Sequence, residues 1–109
     1  MDTLTRLEAI IAERRHASPD ASYVAKLHAT GVPKIAEKVG EEATETIVAA
    51  LCGSQEELVG EAADLLFHLL VLLGAKDVSL ADVLTELDRR EGVSGLDEKA
   101  ARNSQRTAE

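Results

Sequence analysis

The chain of 109 residues is long enough for one domain, and its 45% hydrophobic content supports a folded core. A formal net charge of -8 argues against nucleic acid or an anionic membrane surface as a partner. Tyr23 and Phe67 are the only aromatic residues, so the core must be built from aliphatic side chains. Such residues, together with Glu, Lys and Arg, favour helices. We therefore expect an all-α protein.

Cys52 is the single cysteine, which excludes an internal disulfide and makes a reducing compartment the simple expectation. The N-terminal sequence lacks the basic start and long apolar core of a signal peptide. The apolar run over residues 65–73 has about half the length needed to cross a bilayer. These features predict a cytoplasmic protein with no membrane partner.

The first two helices are indicated by apolar periodicity and by their end signals. Apolar residues at helical spacing predict a helix over residues 3–16. A short helix is expected over residues 22–30, where Ser22 can cap the start and Gly31 suits the end.

Three more helices follow. Pro33 fits the first turn of a helix that we expect to run to Leu51. The sequence from Ser54 to Glu57 has the spacing of a capping box and predicts a long helix ending at Gly74. A last helix is expected over about residues 79–91. We therefore predict one all-α domain over residues 1–102, followed by a disordered tail over residues 103–109.

The run over residues 65–73 is apolar on nearly every side and is interrupted only by His68. A helix of this kind must be covered on nearly every side. Four short helices from one chain can hardly do so, whereas a second copy of the chain can. We therefore expect a homodimeric helical bundle.

Two acidic pairs are the most informative polar feature. Glu42 with Glu45, and Glu61 with Asp64, each have i,i+3 spacing, which places both carboxylates on one face of a helix. The second pair directly precedes the apolar run over residues 65–73. Charges beside a buried face need a partner, and a hard cation is the obvious one.

Lys34, Lys38 and Glu41 fall on the same face of their helix as the first acidic pair. If the two long helices pair antiparallel through the short turn between them, the acidic faces meet in a cage of four or five carboxylates. Oxygen ligands alone favour Mg²⁺, with Mn²⁺ as the alternative. Lysines at the edge of such a cage suit phosphate oxygens, and the combination is typical of pyrophosphate hydrolysis.

Each of these features also has a structural interpretation. Pairs of glutamates three residues apart are common on solvated helix faces. Lys34 and Lys38 can simply form ion pairs with neighbouring glutamates. His68 on an apolar helix is by default a hydrogen-bonded core residue. The position of Glu61 and Asp64 beside the apolar run favours the metal site over these alternatives.

The two acidic pairs and the gap of fifteen residues between them resemble the signature of the all-α, MazG-like nucleoside triphosphate pyrophosphohydrolases. Within that superfamily, the residues Ser22-Tyr23-Val24, Lys38-Val39-Gly40-Glu41-Glu42-Ala43 and Ala63-Asp64-Leu65-Leu66-Phe67-His68 resemble the phosphoribosyl-ATP pyrophosphohydrolase family. The resemblance covers roughly residues 4–90. Phe67 departs from it slightly, because the family often has Tyr at this position.

The resemblance implies a homodimer with a four-helix-bundle core, and hydrolysis of phosphoribosyl-ATP to phosphoribosyl-AMP and pyrophosphate in the second step of histidine biosynthesis. It implies that four carboxylates hold Mg²⁺: Glu42, Glu45, Glu61 and Asp64. Glu41 and Glu42 become candidate catalytic residues, with Glu41 orienting or deprotonating the water. Lys34 and Lys38 become candidate phosphate contacts.

Two alternative functions remain open at this point. One is the hydrolysis of a different nucleotide, such as a non-standard or deoxy triphosphate, at the same metal site. The other is a non-catalytic helical dimerisation module, which leaves the acidic residues beside the apolar run unexplained.

Overall fold

The computed structural model describes residues 2–92, 99 and 102–103. It contains five principal helices: α1 (Thr3–Arg14), α2 (Tyr23–Thr30), α3 (Val32–Cys52), α4 (Gln55–Ala75) and α5 (Leu80–Arg90). No strand occurs among the residues that the structure describes. The expectation of an all-α protein is therefore confirmed.

The helix starts follow from their capping residues. Ser22, Ser54 and Ser79 precede α2, α4 and α5, and each side-chain oxygen accepts a hydrogen bond from the backbone N–H three residues later. Such a cap supplies an acceptor for one of the free N–H groups in the first helical turn. The predicted helix boundaries agree with the structure to within two residues; the largest difference is at α1, which ends at Arg14 instead of residue 16.

Two glycines end helices for different physical reasons. Gly31 separates α2 from α3 with a φ of 93°, a left-handed backbone conformation that side chains disfavour. Gly53 ends α3, and a Cβ atom there would lie 3.0 Å from the carbonyl oxygen of Ala49. The tight turn at residues 53–54 therefore favours glycine, because a side chain would force the neighbouring backbone of Ala49 to shift.

The core lies where α1 and α2 pack against α3 and α4, and α5 adds one residue to it. Its buried members are aliphatic, as composition predicts: Ile11, Val24, Leu27, Ile35, Leu70, Val71 and Leu80. The turn at residues 53–54 reverses the chain, so α3 and α4 pack against each other in antiparallel fashion. This pair of helices, which we call the α3–α4 hairpin, carries both acidic motifs.

Much of α4 is uncovered in a single chain. By length and composition alone, the helix could cross a membrane. Within a single chain, only 17% of its most apolar 18-residue stretch is buried. Val59 and Leu66 on α4 are exposed, as are Ile47 and Leu51 on α3. The α3–α4 hairpin therefore presents an apolar surface to its surroundings.

The expected disordered tail lies outside the described residues from residue 104 onward. The proposed domain limit at residue 102 therefore stays a prediction.

We expect the side chain of Ile35, which is 1% exposed, to be among the largest contributors to stability. Ile35→Ala should lower the free energy of unfolding by about 2–5 kcal/mol, because it removes buried methyl groups and leaves a cavity. Urea unfolding at fixed protein concentration measures the loss. Ile10→Ala is the matched control, because Ile10 is 41% exposed and its truncation should cost much less. Equal losses for the two variants would contradict the assigned core.

Candidate metal centre

The antiparallel arrangement of α3 and α4 brings acidic side chains from both helices together. Glu42 and Glu45 on α3 meet Glu61 on α4, and one carboxylate oxygen from each lies within 4.8 Å of the others. Their burial is graded: Glu42 is buried, Glu61 is half-buried and Glu45 is exposed. The two faces that the sequence predicted to meet therefore do meet, at three of the four predicted carboxylates.

The crowding of these carboxylates changes their acidity. Burial, followed by a hydrogen bond and charge repulsion from Glu45, raises the pKa of Glu42 above its ordinary value. A hydrogen bond with Glu45, followed by burial, raises the pKa of Glu61 to about 7. A hydrogen bond between two carboxyl groups needs a proton on one of them. Without a cation, Glu42 and Glu61 are therefore easier to protonate than isolated glutamates.

Two oxygens of the cluster have no partner within the described chain. Glu42 Oε2 and Glu61 Oε2 are buried and accept no hydrogen bond. A buried carboxylate oxygen without a donor is costly unless it meets a cation or carries a proton. An all-oxygen donor set of negative charge is what a hard divalent cation binds. The residues present therefore fit such an ion.

Asp64, the fourth predicted ligand, is placed differently. Its negative charge contributes to the raised pKa values of Glu42 and Glu61, so it is close enough to repel both carboxylates. Its side chain is exposed, however, and it is outside the group of oxygens within 4.8 Å. The structure thus brings Asp64 to the edge of the cluster.

Lys38 lies beside the cluster and connects it to Glu41. The Lys38 Nζ atom is 3.1 Å from Glu41 Oε2 and 4.0 Å from Glu42 Oε1. The hydrogen bond between Lys38 and Glu41 raises the pKa of the lysine and lowers the pKa of the glutamate. Glu41 is therefore a weaker base than an unpaired glutamate. Lys34 lies further out, with its Nζ 3.5 Å from Glu37 Oε1.

His68 is a hydrogen-bonded core residue, and the structure places a proton on one of its ring nitrogens. Its Nδ1 lies 2.7 Å from the backbone carbonyl oxygen of Asp64. A carbonyl oxygen can only accept, so Nδ1 carries the proton. Its Nε2 lies 2.8 Å from the hydroxyl of Tyr23, which completes the hydrogen bonding of the ring. His68 is satisfied at both nitrogens and is not one of the clustered ligand residues.

Sequence reasoning from the residues alone missed the contact between Tyr23 and His68. The two residues are 45 positions apart and belong to different helices. It also missed a cavity of about 290 Å³ that adjoins the carboxylates at the turn of the α3–α4 hairpin. Thr44 and Glu57 line this cavity together with Glu45 and Glu61. From its spacing to Ser54, the sequence predicted only a helix-capping role for Glu57.

Comparison with known proteins identifies the family. The family described as "Phosphoribosyl-ATP pyrophosphohydrolase" matches residues 4–91. A protein named phosphoribosyl-ATP pyrophosphatase from Erythrobacter litoralis is 74% identical over 102 residues, which cover 94% of this chain and 98% of that protein. Proteins of the same name from Novosphingobium aromaticivorans and Rhizorhabdus wittichii are 67% and 64% identical, covering 94% and 92% of this chain and 96% and 94% of their own length. The chain therefore belongs to the phosphoribosyl-ATP pyrophosphohydrolase family.

Proposed function

We propose that this protein hydrolyses phosphoribosyl-ATP to phosphoribosyl-AMP and pyrophosphate, the second step of histidine biosynthesis. The observation that carries the proposal is the meeting of Glu42, Glu45 and Glu61 in a family whose relatives are named for this activity. In the reaction, a water oxygen bonds to phosphorus and a phosphoric anhydride bond breaks. The proton from the water must pass to a base.

Four carboxylates would hold the cation: Glu42, Glu45, Glu61 and Asp64. Mg²⁺ is the ion we propose, with Mn²⁺ as the alternative, because the donors are all oxygen. When bound, a divalent cation supplies Lewis-acid activation of the water and of the phosphate oxygens. The buried, unpaired oxygens of Glu42 and Glu61 support this assignment.

Glutamate and lysine side chains of the protein are the candidates for proton transfer and for phosphate binding. Glu42 is a candidate to accept the proton through the carboxylate oxygen that does not hold the cation. Glu41 has a lowered pKa, so orienting the water and Lys38 is the role that suits it. Lys38 and Lys34 are the proposed contacts for the phosphate oxygens.

We further propose a homodimer with a four-helix-bundle core, built by burying the apolar surface of two α3–α4 hairpins against each other. Residues on both helices support this arrangement: Ile47 is 58%, Leu51 79% and Val59 65% exposed in a single chain. Exposed apolar side chains on adjacent helices are typical of an association surface. In the dimer, this burial also covers α4, so we propose a cytoplasmic protein with no membrane partner.

An assay of pyrophosphate release from phosphoribosyl-ATP, with and without Mg²⁺, tests the activity directly. Turnover of several other nucleoside triphosphates in the same assay separates this substrate from the alternative nucleotides. Absence of turnover with every triphosphate, in a protein that still dimerises, would favour the non-catalytic dimerisation module.

We expect Glu45→Gln and Asp64→Asn each to lower Mg²⁺-dependent turnover by about 10²-fold or more, because each removes a ligand of one shared ion. The double variant should be hardly worse than either single variant, because residues that act as a unit fail together. Glu86→Gln on α5 is the control and should stay within a few-fold of the parent. Near-full turnover by the two ligand variants would refute the shared site.

We expect Mg²⁺ to raise the melting temperature more at about pH 8 than at about pH 6. The pKa of Glu61 is about 7 in the folded protein, against an ordinary value of 4.5. In EDTA, the folded state therefore binds more protons than the unfolded state between these two pH values. The free energy of unfolding then falls as the pH rises through this range. A bound cation offsets that loss.

Glu61→Gln should flatten the pH dependence in EDTA and remove most of the Mg²⁺ effect. Glu13→Gln on α1 is the matched control. Burial lowers the pKa of His28, so this residue makes stability rise with pH, opposite to the effect of Glu61. Because His28 is the same in every variant, its effect cancels when the variants are compared with the parent protein. A Mg²⁺ effect that is equal in the Glu61→Gln variant and in the parent would argue against this ligand.

We expect light scattering to give twice the chain mass of 11.6 kDa at micromolar concentration. Val59→Glu should shift the protein toward monomer, because association would bury an unpaired charge. Ala81→Glu, at an exposed position on α5, is the control and should stay dimeric. A monomeric parent protein would overturn the proposed dimer.

A further inference from the structure

A second cavity, away from the carboxylates, lies between α1, α2 and α4 and has a volume of about 450 Å³. We call it the α1–α2 pocket. The residues that matter for its chemistry are Leu7, Ile10, Arg14, Ala21, Tyr23 and Phe67. Its size is within the range of cavities that hold a small organic ligand.

The walls of the α1–α2 pocket are apolar and partly aromatic. The rings of Tyr23 and Phe67 are nearly parallel, with an interplanar angle of 21° and a centroid distance of 6.1 Å. Tyr23 and Ile10 are 48% and 41% exposed, so these surfaces are available in the folded chain. Flat aromatic and aliphatic walls suit a planar heterocycle such as a purine.

Arg14 adds a positive charge to this apolar pocket. In the part of the chain that the structure describes, its side chain has neither an ion pair nor a hydrogen bond. The neighbouring Arg15 is occupied, because its Nη1 donates to the Gly74 carbonyl at 3.2 Å and lies 3.8 Å from Asp77 Oδ1. An unpaired guanidinium at a ligand cavity suits a phosphate group. Its structural alternative is a favourable interaction with the C-terminal end of the α1 dipole.

Residues of α4 and the hydrogen bonds of Tyr23 connect the α1–α2 pocket to the carboxylate cluster. Phe67 follows Glu61 by six residues, which is about 9 Å along the helix axis. The Tyr23 hydroxyl bonds to His68, which is bonded in turn to the backbone of Asp64. Tyr23 also contributes to the raised pKa of Lys38, one of the proposed phosphate contacts.

We propose that the α1–α2 pocket binds the adenine of the substrate and its phosphoribosyl arm, with Arg14 binding the 5′-phosphate of that arm. This inference rests on the proposed function, since it accounts for the part of the substrate that is not released as pyrophosphate. It also makes Arg14 a specificity residue, because ATP lacks the second ribose phosphate.

The single tyrosine makes binding directly observable. The chain has one Tyr and no Trp, so NMR of protein labelled at the tyrosine ring reports on Tyr23 alone. Titration with phosphoribosyl-AMP, without metal, should give saturable shifts of the ring signals. AMP should bind about ten-fold more weakly, because it lacks the second phosphate. Arg14→Gln should bring the two affinities together.

Steady-state kinetics give the second measurement. Arg14→Gln and the pocket-filling Ala21→Leu should each raise KM for phosphoribosyl-ATP by about ten-fold, with kcat within two-fold of the parent. Both positions are exposed, so neither change disturbs the core. Arg6→Gln and Ala81→Leu are the matched controls and should leave KM unchanged.

The outcomes separate the pocket from the activity. Pyrophosphate release without any response of the Tyr23 ring, or with an unchanged KM in both variants, would overturn the pocket and leave the function intact. A ring response without pyrophosphate release would overturn the function alone. Ring signals that change with protein concentration and not with nucleotide would also overturn the pocket, because a second copy of the chain would then occupy it.

Discussion

The antiparallel contact between α3 and α4 places like charges against each other. Glu42, Glu45 and Glu61 approach to within 4.8 Å, and their repulsion in a partly buried setting opposes folding. The surrounding aliphatic packing has to outweigh that repulsion, with Ile35 and Val71 buried almost completely on the same two helices. The fold thus holds the carboxylates in an arrangement that they would not adopt by themselves, and a bound cation would relieve their repulsion.

The first two helices support this arrangement from one side. α1 and α2 bury Ile11, Val24 and Leu27 against the α3–α4 hairpin. The Tyr23 hydroxyl is hydrogen-bonded to His68, and the opposite ring nitrogen of His68 donates to the Asp64 carbonyl. One side chain therefore couples the position of α2 to the turn of α4 that follows Glu61. These two hydrogen bonds connect α2 to the helical turn beside the carboxylate cluster.

Local signals in the sequence were enough to predict the helices and to bring the acidic motifs together. Caps at Ser22 and Ser54 set helix starts, and the short turn at Gly53 forces the two long helices to pair. The sequence did not predict that Glu42 is buried and Glu41 exposed. Adjacent helical residues differ by about 100° in direction, and only packing decides which of them is buried. The contact between Tyr23 and His68 joins segments that are 45 positions apart, so the local spacing of residues does not predict it.

The three clustered carboxylates all belong to one helical hairpin, and Glu42 and Glu61 are only 19 positions apart in the chain. Bringing them together closes a short loop, which costs little entropy, whereas docking α1 onto α4 joins much more distant segments. We therefore expect the carboxylate cluster to assemble with the hairpin, at an early stage of folding. In that case, repulsion among the carboxylates would raise the barrier to folding, and a cation that neutralises them should accelerate folding more than it slows unfolding.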